Sequence, residues 1–249
     1  MRWTSHIFKQ IRPHHFIKAI FAPKRAIREL KYRYTFSSAF IFCSFLSQVS
    51  RDEVRSLFDE CYKQRCFKVA EKNVNLLKPC KGRGEMGRES ETLYVIVRLI
   101  KPDIMIETGV GAGISSTYIL RAMELNGKGR LYSIDLPDET GLSGWAVPDE
   151  LRSYWDLRLG SSMDLLPALL KETGPIDIFL HDSDHSYKNM MFEFRTIWPY
   201  LKNNSIFLAH DVGRNDALFD FCNEAHIPWT KVRTFPVLGG IRKKIDFLN

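Results

Sequence analysis

Short apolar runs alternate with longer amphipathic stretches from about residue 85 onward. The apolar runs predict strands at 104–108, 131–135, 156–159, 176–181, 205–209, 229–233 and 241–247. Patterns with a period near 3.6 residues predict helices at about 91–100, 114–126, 161–172 and 187–201. Alternating strands and helices indicate a parallel sheet with helices on both faces, and the last two strands suit a terminal hairpin. We therefore predict an α/β fold with a seven-stranded, mostly parallel sheet.

The N-terminal part has a different pattern, of helices joined by short linkers. A pattern that includes Tyr34 predicts one amphipathic helix, and a capping box that begins at Ser50 predicts another. The glycine-rich, charged segment 81–87 is the best boundary. We expect residues 1–84 to form a helical, basic extension and residues 85–249 to form the α/β domain.

Composition limits the class of protein. The chain has 249 residues, of which 45% are hydrophobic, so it can bury a substantial core. No apolar run approaches the ~20 residues that a membrane-spanning helix needs. The five cysteines are odd in number and form no C-x-x-C pair, which argues against a disulfide framework or a cysteine zinc site. We expect a cytoplasmic protein.

The net charge of +7 is concentrated at the N-terminus, where residues 1–36 carry nine Lys or Arg and one acid. Three interpretations stay open. The segment could pack on the α/β domain or on a second subunit of a homo-oligomer, with its charges in solvent. It could instead make a peripheral contact with an anionic membrane. RNA binding is the interpretation that the sequence favours least.

A glycine-rich turn follows the first predicted strand of the α/β domain, in the sequence Glu107-Thr108-Gly109-Val110-Gly111-Ala112-Gly113. Glycines allow a tight turn and the close approach of a ligand, and the helix that follows adds amide donors. Asp135 lies 22 residues after Gly113, at the spacing at which an acid reaches a ribose hydroxyl in βαβ units. This corner therefore predicts a nucleoside-cofactor site. Because the dinucleotide fingerprint is G-x-G-x-x-G, a NAD-dependent oxidoreductase is the less favoured enzyme class.

Acids and histidines follow two later strands. The strand at 176–181 leads into His181-Asp182-Ser183-Asp184-His185, and the strand at 205–209 leads into His210-Asp211. If these strands are neighbours, at about 4.8 Å, their ends gather several carboxylates and imidazoles at one edge of the sheet. The candidates for catalysis are Asp182, His185, His210 and Asp211. His181 is interpreted as a core residue, and Asp184 either caps the next helix or takes part in function.

Several of these motifs resemble a known family. Glu-x-Gly-x-Gly-x-Gly resembles motif I of class I S-adenosylmethionine-dependent methyltransferases, which have a Rossmann-like sheet. The H-D-S-D-H block, with its neighbouring segments between about residues 90 and 235, resembles methyltransferase domain family 24, a branch related to O-methyltransferases of small molecules and sugars. The resemblance implies that S-adenosylmethionine is held by Glu107, Gly109, Gly111, Gly113, Ser115, Asp135, Gly160, Ser161 and Asp182.

The resemblance also implies methyl transfer to a hydroxyl of a small-molecule or glycan acceptor, by one of two mechanisms. In related metal-dependent enzymes, acids at the positions of Asp182 and Asp211 hold a divalent cation such as Mg²⁺, but His210 stands where another acid would be usual. In the second mechanism, His185 or His210 removes the hydroxyl proton directly. A non-catalytic cofactor-binding scaffold at a membrane surface is the alternative outside catalysis.

Overall fold

The computed structural model describes residues 33–76, 88–136, 143–234 and 237–244. Its helices are α1 (Ala39–Ser47), α2 (Arg51–Tyr62), α3 (Cys66–Leu76), α4 (Arg88–Ile100), α5 (Ile114–Asn126), α6 (Ser162–Thr173), α7 (Tyr187–Ile197) and α8 (Ala217–Glu224). Short 3₁₀ helices span Asp149–Tyr154 and Trp198–Tyr200. Its strands are β1 (Arg33–Phe36), β2 (Ile104–Thr108), β3 (Arg130–Asp135), β4 (Trp155–Leu159), β5 (Ile176–His181), β6 (Leu201–Ala209), β7 (Trp229–Val232) and β8 (Leu238–Arg242).

All eight strands form one sheet, in the order β1-β7-β8-β6-β5-β2-β3-β4. Neighbouring strands are parallel except at β8, which is antiparallel to both β6 and β7. This order confirms the mostly parallel α/β sheet with a hairpin at its end. Strand β2 lies between β5 and β3, so the direction of strand addition reverses there. In open α/β sheets, ligands bind at the carboxyl ends of the strands beside such a reversal.

The eighth strand, β1, comes from the N-terminal part of the chain. The helix predicted to include Tyr34 is wrong at this residue, because Tyr34 lies in β1 opposite Thr230 of β7. The open backbone edge of β7 supplies hydrogen bonds that the local helical pattern does not reveal. The earlier part of that predicted helix lies outside the described residues. The capping box of α2 is confirmed, since the Glu53 amide donates to Ser50 Oγ at 3.2 Å.

Some boundaries differ from the prediction for local reasons. The predicted helix 187–201 ends as an α-helix at Ile197, because Pro199 cannot continue the hydrogen-bond ladder, and β6 already begins at Leu201. The last strand begins at Leu238 and not at 241, since Gly239 and Gly240 pair with β6. Helix α8 was not predicted.

Side chains alternate between the two faces of the sheet and enter two separate cores. Met105 and Ile178 pack with α1 to α5, whereas Ile106 and Phe179 pack with α6, α7 and α8. Helices α1 to α3 belong to the first core; Phe67 of α3, for example, stacks on Tyr118 of α5 with ring centroids 3.6 Å apart.

The predicted division of the chain at residue 84 lies outside the described residues and stays a prediction. In the described ranges, no helix combines the length and the apolar character needed to cross a bilayer.

Candidate active site

The glycine turn between β2 and α5 lies directly against the segment that follows β5. Gly109 has a φ of +86°, and a Cβ atom there would lie 2.1 Å from the carbonyl oxygen of Asp182. The Asp182 amide in turn donates to Thr108 O at 2.8 Å. Only glycine suits both the left-handed backbone and this close contact. The turn is therefore fixed beside the loop that carries the predicted reacting groups.

Asp135 faces the same turn from the end of β3. Its Oδ2 accepts a hydrogen bond from the Gly111 amide at 3.2 Å. Leu136 and Leu159, at the ends of β3 and β4, and Met163, in the first turn of α6, keep 62%, 48% and 37% of their surface exposed. A carboxylate beside exposed apolar side chains fits a nucleoside, with its ribose hydroxyls on the acid and its base on the apolar surface. The apolar side chains were missed from the sequence, where they look like ordinary strand and helix residues.

Two further predicted residues, Gly160 and Ser161, connect β4 to α6. The Gly160 amide donates to Asp135 O at 2.8 Å, which ties this turn to the end of β3. Ser161 caps α6, since its Oγ accepts from the Met163 amide at 3.1 Å. Both residues thus lie next to Asp135, and their direct contact with a cofactor stays a prediction.

Glu107 is fully buried beneath the glycine turn. Its carboxylate accepts hydrogen bonds from the hydroxyls of Ser115 at 3.0 Å, Ser116 at 2.7 Å and Ser133 at 2.8 Å. Burial raises the pKa of Glu107 to about 7, although the three hydroxyls oppose the shift. Glu107 and Ser115 thus bond to each other within the protein, and their predicted contact with the cofactor remains untested.

The four residues predicted for catalysis come together at the ends of β5 and β6. These strands are neighbours, and the His210 amide donates to His181 O at 2.9 Å. Asp182 Oδ1 lies 2.7 Å from His210 Nδ1 and 3.7 Å from His185 Nε2. Asp211 Oδ2 lies 3.8 Å from His185 Nε2 on the other side. His185 therefore lies between two carboxylates.

The two histidines of this cluster have opposite electrostatics. Burial lowers the pKa of His185, and His181 lowers it further, so its imidazole is neutral at neutral pH. His185 Nε2 is also buried without a hydrogen-bond partner. Burial alone would lower the pKa of His210 as well, but Asp182 and Glu89 outweigh it and raise the value to about 10. His210 is therefore a cation at neutral pH.

Glu89 of α4 is a member of the cluster that sequence reasoning missed. It is buried, and its Oε1 lies 2.7 Å from His210 Nε2. Burial raises the pKa of Glu89, against the effect of His210. The only sequence signal is an acid in the first turn of a helix, which is common for reasons of helix stability.

Asp211 stands apart from the buried members of the cluster. It adopts a left-handed φ of +50°, which aspartate tolerates better than most residues. Its Oδ2 forms an ion pair with Arg214 Nε, 2.7 Å away, so a guanidinium already neutralises this carboxylate.

A buried polar network below the cluster holds the loop after β5 in place. Glu193 of α7 accepts from Thr108 Oγ1 at 2.6 Å and from Ser183 Oγ at 2.7 Å, and it lies 2.7 Å from His181 Nδ1. Burial alone would raise the pKa of Glu193, but the hydrogen bond from His181 and its neighbours lower it. His181 is fully buried, as expected of a core residue.

Asp184 does not cap α7 itself, so that interpretation was wrong. Ser186 is the cap, since its Oγ accepts from the Asn189 amide at 3.3 Å. Asp184 supports this cap by accepting from the Ser186 amide at 2.9 Å and from its hydroxyl at 2.8 Å. The shorter serine side chain reaches the first turn because it directly precedes the helix.

Within the described residues, no group of three or more His, Cys, Asp or Glu side chains has the arrangement needed to hold a metal ion. Asp182 and Asp211, which were predicted as metal ligands, have His185 Nε2 between them and contact His210 and Arg214 respectively.

The sequence of residues 106–212 matches a protein family described as a methyltransferase domain. The matched range begins in β2 and ends just after β6, so it contains the glycine turn, Asp135 and the four clustered side chains. This is the family that the sequence motifs resemble, and the methyl donor of its class is S-adenosylmethionine. Among curated proteins, none matches this chain.

Solved structures with a similar fold are methyltransferases of distant sequence. An O-methyltransferase from Bacillus cereus, in complex with S-adenosylhomocysteine, is 13% identical with a TM-score of 0.59 and covers 73% of this chain and 92% of its own. TomG from Streptomyces achromogenes, an O-methyltransferase of tomaymycin synthesis bound to S-adenosylmethionine, is 14% identical with a TM-score of 0.58. The match covers 74% of this chain and 91% of TomG. PaMTH1 from Podospora anserina, bound to S-adenosylhomocysteine, is 16% identical with a TM-score of 0.58. The match covers 75% of this chain and 93% of PaMTH1. These similarities show that the chain has the class I methyltransferase fold.

Proposed function

We propose that the protein transfers the methyl group of S-adenosylmethionine to a hydroxyl oxygen of a small-molecule acceptor, and that His185 removes the hydroxyl proton. The observation that carries this proposal is His185 Nε2, a buried and unpartnered nitrogen between the carboxylates of Asp182 and Asp211. The contact of Gly109 with Asp182 supports the proposal, because it brings the glycine turn against the loop that carries His185. Sugars belong among the acceptors to be tested, because the family resemblance includes enzymes that act on them.

Each residue has a definite part in this reaction. Asp135 would hold the ribose, and Leu136 and Met163 would cover the base. The cofactor would supply a methyl group bound to a sulfonium sulfur. When the acceptor oxygen attacks the methyl carbon in line, the carbon–sulfur bond would break and leave a neutral thioether. His185 Nε2 accepts the proton from that oxygen, and the carboxylates of Asp182 and Asp211 stabilise the resulting imidazolium. The protein otherwise contributes proximity and orientation.

The charges around the cluster favour a direct base over a metal ion. Asp182 contacts the cationic His210 at 2.7 Å, and Asp211 contacts Arg214 at 2.7 Å. Both carboxylates that would bind Mg²⁺ are therefore already paired with positive charges, which oppose a second cation. Because His210 is itself protonated at neutral pH, His185 is the imidazole that is free to accept a proton.

The test compares His185→Asn with the wild type in an assay of S-adenosylhomocysteine release over a panel of hydroxyl compounds. Removing a general base lowers rates by about 10²- to 10⁴-fold, so we expect kcat to fall by at least 100-fold. Binding of S-adenosylhomocysteine, measured by calorimetry, should stay within about twofold, because the Asp135 corner is unchanged. His226→Asn, at an exposed histidine away from the cluster, is the matched control and should match the wild type.

Three outcomes would contradict parts of the proposal. If EDTA abolishes turnover and Mg²⁺ restores it, a metal replaces His185 as the activating group. If His185→Asn retains the wild-type kcat, the base is another residue. If the wild type binds S-adenosylhomocysteine but methylates no hydroxyl compound, a cofactor-binding scaffold becomes the better interpretation.

A further inference from the structure

A buried acid reaches the candidate active site from outside the methyltransferase domain match. Glu89 lies in the first turn of α4, before residue 106, and only 5% of its surface is exposed. Helix stability alone does not require this burial, because an acid in the first turn stabilises a helix equally well in solvent. Glu91 is a second acid in the same first turn, and it accepts a hydrogen bond from Tyr62 at 3.0 Å near the surface.

Glu89 is joined to the reacting cluster by one imidazole. His210 Nε2 lies 2.7 Å from Glu89 Oε1, and His210 Nδ1 lies 2.7 Å from Asp182 Oδ1. A neutral imidazole has a single N–H, so two carboxylates this close to the two ring nitrogens favour the doubly protonated form of His210. The contact at Nε2 is short but not aligned as an in-line hydrogen bond, and it is therefore an ion pair. Glu89, His210 and Asp182 form a continuous chain of charges.

This chain determines where the Asp182 carboxylate can lie. Asp182 Oδ1 is the atom that faces His185, at 3.7 Å, and it is also the atom held by His210. The His210 ring is buried and makes its second charged contact only with Glu89 among the described residues. Without Glu89, the His210 ring loses the contact at Nε2 that fixes its orientation. Asp182 then has a partner whose position is no longer fixed.

We propose that Glu89 is a positioning residue for methyl transfer, which acts through His210 to hold the Asp182 carboxylate beside His185. The inference rests on the proposed function for its effect on turnover, but its structural part is independent of the acceptor. Groups that support a reacting side chain from behind commonly decide whether an active site is accurate enough to work.

The experiment uses the full-length protein with Glu89→Gln, Glu89→Ala and the matched control Glu91→Gln. Glu89→Gln keeps the volume of the side chain and loses the charge, so it remains folded if alanine leaves too large a defect. Hydrogen–deuterium exchange of the backbone amides of residues 182–186 reports the positioning directly. Steady-state kinetics with the best hydroxyl acceptor report its consequence.

We expect faster exchange at residues 182–186 and a kcat lowered by about tenfold or more in both Glu89 variants, with KM for S-adenosylmethionine within about twofold. Glu91→Gln should match the wild type in both measurements. A merely structural role would lower the free energy of unfolding without changing either the loop exchange or kcat of the folded enzyme, and that result would overturn the inference. If the wild type methylates no acceptor, the proposed function fails, and the exchange rates alone still decide whether Glu89 positions the loop.

Discussion

At the scale of single residues, the glycine turn after β2 depends on a carboxylate that faces the protein interior. Glu107 is surrounded by the hydroxyls of Ser115, Ser116 and Ser133, all within 3.0 Å. These donors connect β2 to α5 and β3, the elements on either side of the glycine turn. An ionised carboxylate in such a place is costly even when it is hydrogen-bonded, which explains its raised pKa.

Glu107→Gln tests this cost through the pH dependence of stability. The pKa of Glu107 rises from 4.5 to about 7 on folding, so the folded state binds the extra proton and its stabilising effect is lost as pH rises through about 7. Relative to the variant, the wild type should lose roughly 3 kcal/mol of unfolding free energy between about pH 4.5 and pH 8. Urea unfolding of both proteins across this range measures the difference. Parallel pH curves would show that Glu107 keeps an ordinary pKa.

The residues of the candidate site differ in how far the sequence could predict them. Asp182, His185 and Asp211 were predictable because neighbouring parallel strands must end at the same edge of the sheet. Glu89 was not predictable, because it lies in a helix that precedes the sheet strands of the site. No local sequence pattern indicates its contact with His210, which lies more than a hundred residues later. Burial decides its role, and burial depends on the whole fold.

At the scale of elements, the site depends on one contact between the backbones of a turn and a loop. The turn after β2 and the loop after β5 approach so closely at Gly109 and Asp182 that no side chain fits between them. Predicting the strands on either side needed only apolar runs and their glycine and proline borders. Strand β1 and helix α8 could not be predicted in this way, because pairing with β7 and packing on the second core outweigh their weak local patterns.

Gly109→Ala and Gly127→Ala form a matched pair that separates backbone strain from this close contact. Both glycines have a positive φ, +86° and +66°, but a Cβ at Gly127 meets nothing within 4 Å. The Gly127 variant should therefore lose only about 1 kcal/mol of stability and keep its affinity for S-adenosylhomocysteine. The Gly109 variant should lose at least tenfold in that affinity, because the turn must move away from Asp182. Calorimetric titration of both variants measures this, and equal affinities would show that the turn accommodates the methyl group.

At the scale of the whole molecule, the N-terminal helices and the sheet share one core. Strand β1 pairs with β7, and Phe42 and Leu46 of α1 occupy the space that a side chain at Gly240 of β8 would need. Helices α2 and α3 cover α4 and α5. One of the contacts is the stacking of Phe67 on Tyr118. The α/β unit is therefore not complete without residues 33–76.

Two deletions test whether residue 84 is a true domain boundary. Removing residues 1–84 takes away β1 and α1 to α3, so we expect a product that aggregates or lacks a cooperative unfolding transition, because one apolar face of α4 and α5 becomes exposed. Removing residues 1–32 leaves every described contact in place and should preserve cooperative unfolding. Thermal unfolding and S-adenosylhomocysteine binding of both products measure the outcome. A stable, ligand-binding fragment of residues 85–249 would establish the boundary at residue 84.

The pairing of β1 with β7 also has a consequence for the order in which the protein is built. During synthesis, residues 33–36 emerge from the ribosome almost two hundred residues before their partners at 229–232. The apolar face of α1 packs on Gly240 of β8, which is synthesised a similar number of residues later. Contacts of such long sequence separation slow folding and leave apolar surface uncovered in the meantime. We therefore expect the pairing of β1 with β7 to be among the last steps of folding.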